Sequence, residues 1–188
     1  MVLASANPDK VAELIELLGD RFDVTARPDH LPETDEDQPT LEGNARKKAT
    51  EVALATSAPA LSDDTGLFVE ALGGRPGVRT ARYAGEHATD DDNVSKLLEE
   101  LDGRTDRGAQ FRTCVALIWP DGRELIAEGR VTGRIATDRR GDRGFGYDPV
   151  FVPAESNGRT FAEMTRAEKG ELSHRARALT ALLDLLGD

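Results

Sequence analysis

The chain has 188 residues and a formal net charge of -11, from 35 acidic and 24 basic side chains. This length allows one domain with a sizeable core, and no linker-like composition suggests a second, so we expect a single domain over residues 1–188. The acidic charge argues against a nucleic acid or an anionic membrane as partner. Because the protein as a whole is negative, any phosphate must bind at a local cluster of cationic side chains.

The cysteine count and the hydropathy pattern bear on disulfide bonds, membrane spans and cellular location. Cys114 is the only cysteine, which excludes a disulfide within the chain, and its apolar neighbours favour a buried side chain. The sequence has neither a basic and apolar leader nor a run of 18 apolar residues. We therefore expect no signal peptide and no membrane span, and a cytoplasmic location.

Apolar periodicity and capping residues predict alternating strands and helices in the first part of the chain. In chain order we expect a strand at 1–5, a helix from Pro8 to Gly19, a strand at 22–26, an acidic loop at 28–39, and helices at about 40–56 and 90–101. Pro8 suits the first position of its helix, where a missing N–H costs nothing.

The second part of the chain begins with two β-rich runs, at 111–119 and 124–135. The Pro-Asp-Gly-Arg segment between them is a strong hairpin signal. Thr165 begins a short helix that Gly170 is expected to break, and Ser173 is expected to cap the final helix. Together the elements predict an α/β fold with a mixed twisted sheet flanked by helices.

Two adjacent carboxylates, Asp63 and Asp64, follow the apolar run 59–61 and precede a Thr-Gly pair that we read as a turn. Side chains alternate faces in an extended segment, so one aspartate can face a ligand while a cation or the backbone holds the other. Two carboxylates this close are usually tolerated through a bound divalent metal or a shared proton. The pair therefore predicts a metal and phosphate site.

Two other segments are candidates for phosphate binding. The turn from Ser5 to Lys10 lies between a strand and a helix, where backbone N–H groups and the helix dipole favour an anion. Asn44 and Lys48 are four residues apart and share one helical face. The alternatives are an ordinary helix cap with an exposed lysine at Ser5 to Lys10, and a solvated charge at Lys48.

Two segments near the C-terminus could contact the rest of a nucleotide. Phe145 stands between two glycines in the segment 144–149, where its ring could stack on a base and Asp148 could accept from base N–H groups. Lys169 and the run Ser173-His174-Arg175 group cations and donors near a helix start, which favours an anionic ligand. The alternatives are that Phe145 is a core residue and that His174 and Arg175 are structural.

These motifs follow one another in the order found in the inosine triphosphate pyrophosphatases, and the chain resembles that family. This HAM1-like family hydrolyses non-standard purine nucleoside triphosphates. The resemblance covers nearly the whole chain. Its motifs are Ser5-x-Asn7-x-x-Lys10, Asn44-Ala45-x-x-Lys48-Ala49, Asp63-Asp64-Thr65-Gly66-Leu67, Gly74-Arg75-Pro76-Gly77, Gly144-Phe145-Gly146-Tyr147-Asp148-Pro149, Glu168-Lys169 and Ser173-His174-Arg175.

The resemblance implies hydrolysis of ITP, dITP or XTP to the monophosphate and pyrophosphate, with Mg²⁺ as cofactor. It implies an elongated fold of two lobes with a central nucleotide cleft, and a homodimer. The implied triphosphate residues are Ser5, Ala6, Asn7, Pro8, Asp9, Lys10, Lys48 and Thr65. Those for base and sugar are Phe145, Gly146, Tyr147, Asp148, Lys169, His174 and Arg175. Asp64 is implied as general base and metal ligand, with Glu33 as the second metal ligand.

This chain departs from the family pattern at two positions. Many relatives carry Glu before the Asn of the second helix, where this chain has Gly43, so the second metal carboxylate could be Glu33 or Glu42; we favour Glu33. Gly170 replaces an Asn that follows the lysine in relatives. The alternatives in function are a pyrophosphatase for another modified nucleotide and a nucleotide-binding regulator without turnover.

Overall fold

The structure is a computed structural model that describes residues 1–187, with only the backbone described at residue 20. The helices are α1 (Pro8–Leu18), α2 (Leu41–Thr56), α3 (Asp90–Glu100), α4 (Arg166–Leu172) and α5 (His174–Leu186). The strands are β1 (Val2–Leu3), β2 (Ala60–Val69), β3 (Pro76–Gly77), β4 (Gly108–Ile118), β5 (Glu124–Ile135) and β6 (Phe151–Pro153). No helix of the described residues is both long and apolar enough to cross a membrane.

The strands form one sheet in the order β1-β2-β4-β5-β6, with β3 paired to β2. The β1–β2 pair is parallel, whereas β3 lies antiparallel to β2 and β6 antiparallel to β5. Parallel and antiparallel pairs in one sheet, together with five helices among the described residues, confirm the predicted mixed α/β class.

Local capping explains why the predicted helices begin where they do. The Asn7 side chain accepts hydrogen bonds from the N–H groups of Asp9 and Lys10, and so caps α1. Thr40 caps α2, and Thr89 forms a capping box at the start of α3. Each cap satisfies N–H groups that have no partner within the helix. All three starts lie where the sequence predicts them.

The predicted strand at 22–26 is reduced to a single bridge. Only Thr25 pairs in parallel with Val2: the Thr25 N–H donates to the Met1 carbonyl and the Leu3 N–H donates to the Thr25 carbonyl. The reason is that β1 has only two residues, so it offers no longer ladder to this segment. The strand prediction for 22–26 is therefore wrong.

The Thr-Gly pair after the two aspartates is also not a turn. Strand β2 continues without interruption through Thr65 and Gly66 to Val69. A Cβ at Gly66 would lie 2.7 Å from the carbonyl oxygen of Gly77, so glycine is needed here for the close approach of β3. The glycine thus marks tight strand pairing inside β2 and does not end the strand.

Helix α4 runs through Gly170 to Leu172, although the sequence suggests a break at the glycine. A glycine inside a helix costs only about 1 kcal/mol relative to alanine. The capping box of Thr165 and Glu168 stabilises the helix start by a similar amount. Ser173, in extended backbone, then separates α4 from α5.

The chain divides into two compact units, each with its own core. The first comprises Met1–Asp64, Thr113–Gly129 and the segment from Arg175 onward. Its apolar cluster contains Leu3, Leu14, Leu18, Leu61, Val115, Leu117, Ala127, Ala178, Leu179 and Leu182. The second unit comprises Thr65–Arg112 and Arg130–His174. Its apolar cluster includes Leu67, Leu97, Phe111, Ile135, Tyr147, Phe151, Phe161 and Met164.

Candidate active site

Asp64 lies at the centre of a polar cluster in the first unit, where helix α2 holds both of its carboxylate oxygens. The Asn44 side-chain amide donates to Asp64 Oδ2 at 3.1 Å, and Lys48 Nζ lies 3.2 Å from Asp64 Oδ1. Asn44 and Lys48 are one helical turn apart, so a single face of α2 presents both donors. All three residues are buried.

The acidic loop before α2 adds a second carboxylate to this cluster. Glu36 Oε1 lies 2.6 Å from Lys48 Nζ, so the ammonium group is shared between Glu36 and Asp64. The Gln38 N–H donates to Asn44 Oδ1 and ties the loop to the helix. The loop is thereby held against the same face of α2 that contacts Asp64.

Burial sets the protonation behaviour of Asp64. Removal of the carboxylate from water raises its pKa; Lys48 lowers the pKa, and the negative charge of Glu36 raises it again. The net effect is a pKa above the ordinary value for aspartate. A carboxylate whose proton affinity is raised in this way is suited to accept a proton during a reaction.

Asp63, the preceding residue of β2, has a different set of partners. Its Oδ2 accepts from Arg175 Nε at 3.1 Å and from Arg175 Nη2 at 3.0 Å, and Lys10 Nζ lies 3.8 Å away. Arg175 Nη1 also donates to Glu13 Oε2 on α1. The side chains of Asp63 and Arg175 are almost completely removed from solvent, at 0% and 1% exposure. Asp63 therefore belongs to a buried network of ion pairs.

The two neighbouring aspartates consequently differ in pKa. Burial alone would raise the pKa of Asp63, but Lys10, Arg175 and Lys48 together lower it well below its usual range. Environments that push the pKa values of two carboxyl groups apart separate their roles. The surrounding cations thus favour the anionic form of Asp63, whereas Asp64 takes up a proton more readily than its neighbour.

In the predicted phosphate turn at Ser5 to Lys10, three backbone N–H groups donate to side chains of the turn itself. Asn7 Oδ1 accepts from the N–H groups of Asp9 and Lys10, and the Asn7 N–H donates to Ser5 Oγ. This geometry is that of an ordinary helix cap. Lys10 nevertheless points its ammonium group toward Asp63 and remains partly exposed, with 19% of its side chain accessible. Ala6, Pro8 and Asp9 are exposed beside it.

The second unit contains a separate polar cluster around Asp148. Lys169 Nζ lies 2.6 Å from Asp148 Oδ2 in a buried ion pair, and the same oxygen accepts from the Phe145 N–H at 3.0 Å. The ammonium group of Lys169 also lies 4.8 Å from the centre of the Phe145 ring. A Cβ at Gly144, where φ is +76°, would come within 2.0 Å of Asp148 Oδ2, so only glycine fits this turn.

The other predicted base-binding residues of the second unit serve its packing as well. The His174 ring stacks on Phe111 with centroids 4.6 Å apart. The Tyr147 hydroxyl donates to the Thr80 carbonyl at 2.9 Å within the core. The Gly146 N–H donates to Asp90 Oδ2 at 2.7 Å, which ties this segment to α3. Phe145 is half-buried beside Lys169 and Asp148.

The structure thus brings together two groups of the predicted site residues. Lys10, Lys48 and Asp64 share the first cluster, where Arg175 is also present, and Phe145, Asp148 and Lys169 share the second. Thr65 follows Asp64 on β2. Sequence reasoning missed Glu36 and Glu13. Glu36 is one of several acids in its loop, and the only available signal for Glu13 was its place one helical turn after Asp9 on α1.

The two carboxylates considered from the sequence as metal ligands are both exposed. Glu33 is exposed in the acidic loop, and Glu42 pairs with Arg46 on the outer face of α2 at 2.7 Å. Among the side chains that the structure describes, no group of three or more His, Cys, Asp or Glu residues could hold a metal ion. Mg²⁺ is commonly bound by only one or two protein carboxylates, together with substrate phosphates. Asp64 and Glu36, which share one cation, fit that donor set.

The fold and the two clusters define an α/β protein equipped to process a phosphorylated ligand, since buried carboxylates and lysines together are characteristic of phosphoryl-transfer sites. More specifically, the chain belongs to the Ham1 family, whose model matches residues 1–185.

Individual relatives match over nearly the full chain. A dITP/XTP pyrophosphatase of Caulobacter vibrioides is 46% identical, covering 100% of this chain and 98% of the relative. One of Desulfotalea psychrophila is 46% identical, covering 97% and 82% respectively. Among solved structures, a HAM1 protein from Coxiella burnetii is 41% identical with a TM-score of 0.87, covering 99% of this chain and 97% of that one.

Proposed function

We propose that this protein hydrolyses dITP, XTP and related non-standard purine nucleoside triphosphates to the monophosphate and pyrophosphate. The observation that carries the proposal is the pair Asp63 and Asp64. Asp63 is paired with Lys10 and Arg175, which lower its pKa, whereas Asp64 contacts Asn44 and Lys48 and has a raised pKa. Membership of the Ham1 family and the activity named for its relatives support the same reaction.

Asp64 is proposed as the general base. It accepts a proton from a water molecule that attacks the α-phosphorus, and pyrophosphate leaves as the bond to the bridging oxygen breaks. Asn44, which donates to Asp64 Oδ2, fixes the orientation of the carboxylate. Lys10 and Lys48 stabilise the negative charge that develops on the phosphoryl oxygens. The turn from Ser5 to Lys10 and Thr65 complete the triphosphate site in this proposal.

The metal of the reaction is proposed to be Mg²⁺, held by Asp64 and Glu36. When bound, it would neutralise phosphate charge and polarise the phosphoryl group. We propose Glu36 in place of Glu33 because Glu36 shares Lys48 with Asp64, whereas Glu33 is exposed in the same loop. Both proposed ligands are hard oxygen donors, the type that Mg²⁺ prefers.

Base recognition is proposed for the cluster in the second unit. Phe145 offers a ring for stacking, Asp148 accepts from ring N–H groups, and Lys169 and His174 supply donors for an oxo group at purine position 6. An amino group at that position would leave the donors unpaired, at a cost of about 1–3 kcal/mol each. This cost would select hypoxanthine and xanthine over adenine.

We expect Asp148→Asn to reduce this selection. The substitution removes the negative charge that orders Lys169 and weakens acceptance from the base, so the ratio of kcat/KM for dITP to that for dATP should fall about tenfold or more. Both substrates are measured on one preparation, so the ratio does not depend on the folded fraction. Asp142→Asn, an exposed neighbour in the same loop, serves as the control and should keep the wild-type ratio. An unchanged ratio in Asp148→Asn would assign base selection elsewhere.

The direct test of the proposed function is a panel of nucleoside triphosphates with and without Mg²⁺, assayed for pyrophosphate. We expect dITP, ITP and XTP to be hydrolysed at least tenfold more efficiently than dATP or dGTP, and only with Mg²⁺ present. Preferred turnover of a modified pyrimidine triphosphate would contradict the substrate class. Nucleotide binding without a monophosphate product would indicate a regulator instead of an enzyme.

We further propose that the protein acts as a homodimer in the cytoplasm, where nucleoside triphosphates are used. The family resemblance supports the dimer, and light scattering after size-exclusion chromatography would measure its mass. A monomer at micromolar concentration would contradict this part of the proposal.

A further inference from the structure

Lys48, which the proposed function assigns to substrate phosphate, is already paired with two carboxylates. Its ammonium group lies 2.6 Å from Glu36 Oε1 and 3.2 Å from Asp64 Oδ1, and only 10% of its side chain is exposed. Both partners are the carboxylates proposed as metal ligands. The lysine thus already neutralises the two charges that would attract a divalent cation.

An ammonium group and a divalent cation cannot both occupy this position. Mg²⁺ binds oxygen at about 2.0–2.1 Å, so a metal ion on Asp64 and Glu36 would stand within a few ångströms of Lys48 Nζ. Two cations at that separation repel strongly in a buried site. Lys48 sits on a helix with a long flexible stem, so its ammonium group can move while its backbone stays in place.

We propose that Lys48 is a tethered counter-ion of Glu36 and Asp64, which the divalent cation must displace in order to bind. The inference rests on the proposed function and extends it. Displacement lowers the affinity for the metal when no phosphate is present. A substrate triphosphate gives the displaced ammonium group a new partner, so nucleotide and metal favour each other's binding through this one side chain.

The test is a titration of Mn²⁺, followed by electron paramagnetic resonance, on the full-length protein without nucleotide. Lys48→Met should bind Mn²⁺ about tenfold more tightly than the wild type, because a unit charge at this distance can change an affinity by at least that factor. Lys48→Arg keeps the charge and should stay within about threefold of the wild type. A lysine that served phosphate alone would leave the Mn²⁺ affinity of Lys48→Met unchanged, which would overturn the inference.

Lys47 provides a matched control. It is the neighbouring residue of α2 and pairs with Asp37 in the same acidic loop at 2.9 Å, but its contacts include neither Glu36 nor Asp64. Lys47→Met should therefore bind Mn²⁺ as the wild type does. If Lys47→Met raised the affinity for Mn²⁺ as much as Lys48→Met does, the effect would come from the change in net charge alone. That result would overturn the proposal.

Glu36→Gln separates this inference from the proposed function. If Glu36→Gln weakens Mn²⁺ binding while Lys48→Met leaves it unchanged, the result supports the proposed metal site and contradicts the counter-ion role of Lys48. If Glu36→Gln binds Mn²⁺ like the wild type, the metal site itself is wrong, and the counter-ion role falls with it. Should Lys48→Met be unstable without metal, Mn²⁺ must raise its Tm by more than it raises that of the wild type. An equal or smaller increase would overturn the inference.

Discussion

Asp64→Asn should lower kcat for dITP by about 10³-fold while nucleotide binding is retained. Removal of a general base typically costs 10²–10⁴-fold in rate, and a 10³-fold loss corresponds to about 4 kcal/mol of transition-state stabilisation. Asparagine has nearly the same shape as aspartate, and its oxygen can still accept from Asn44. Lys48 keeps Glu36 as a partner, so the variant should fold.

This prediction is measured by pyrophosphate release together with a direct determination of nucleotide affinity by calorimetry. Asp37→Asn is the matched control, because Asp37 is an exposed carboxylate of the acidic loop that pairs with Lys47. It should retain turnover within about twofold of the wild type. Pyrophosphate release by Asp64→Asn within tenfold of the wild type would assign the base to another group.

Arg175→Met should lower the free energy of unfolding by about 3–5 kcal/mol, the cost of removing one partner from a buried ion pair. Arg175 is 1% exposed and forms hydrogen bonds with Asp63 and Glu13, so its loss leaves Asp63 buried with Lys10 as its nearest cation. The total stability of a protein of this size is about 5–15 kcal/mol, so the loss is a large part of it.

Chemical denaturation measures the free energy of unfolding of Arg175→Met, and two further variants serve as comparisons. Arg123→Met removes an exposed pair with Asp121 and should cost at most about 1 kcal/mol. The double variant Asp63→Asn with Arg175→Met removes the stranded charge and should recover part of the stability lost in Arg175→Met alone. A loss in Arg175→Met no larger than in the Arg123→Met control would mean that the network contributes little to stability.

The same network bears on the role assigned to Arg175 by resemblance. The sequence places it beside His174 in a motif for base and sugar. In the structure its guanidinium group is held by Asp63 and Glu13, both in the first unit. If Arg175 acts only through these partners, Arg175→Met will lower stability and turnover without changing the preference for dITP over dATP. Substrate contact by Arg175 would appear as a change in that preference.

The features that could be predicted from sequence depend on short-range physics. The helix starts near residues 8, 40 and 90 could be predicted because capping involves residues only two or three positions apart. Asn44 and Lys48 were placed on one face by helical spacing alone, and both contact Asp64. Such patterns need no knowledge of distant segments.

The errors arose where a distant segment decides the local structure. Gly66 looks like part of a turn, yet it lies inside β2 because the carbonyl of Gly77 approaches it closely. Residues 22–26 have strand composition, but β1 has only two residues and pairs with this segment at Thr25 alone. Glu33 as a metal ligand stays a prediction. Glu36 could not be singled out from the sequence, because only the packing of the acidic loop on α2 brings it to Lys48.

The α/β class, the starts of the first three helices and the family follow from the sequence alone, because local periodicity and motifs in the family's order carry that information. The opposite pKa shifts of the two aspartates, by contrast, depend on contacts that form only in the folded chain. Asp63 is held by Arg175, which is 112 residues away in the chain, whereas Asp64 is held by Asn44 and Lys48 of α2. Adjacent carboxylates with identical intrinsic chemistry differ in pKa only through the charges and the burial around them, and these are set by folding.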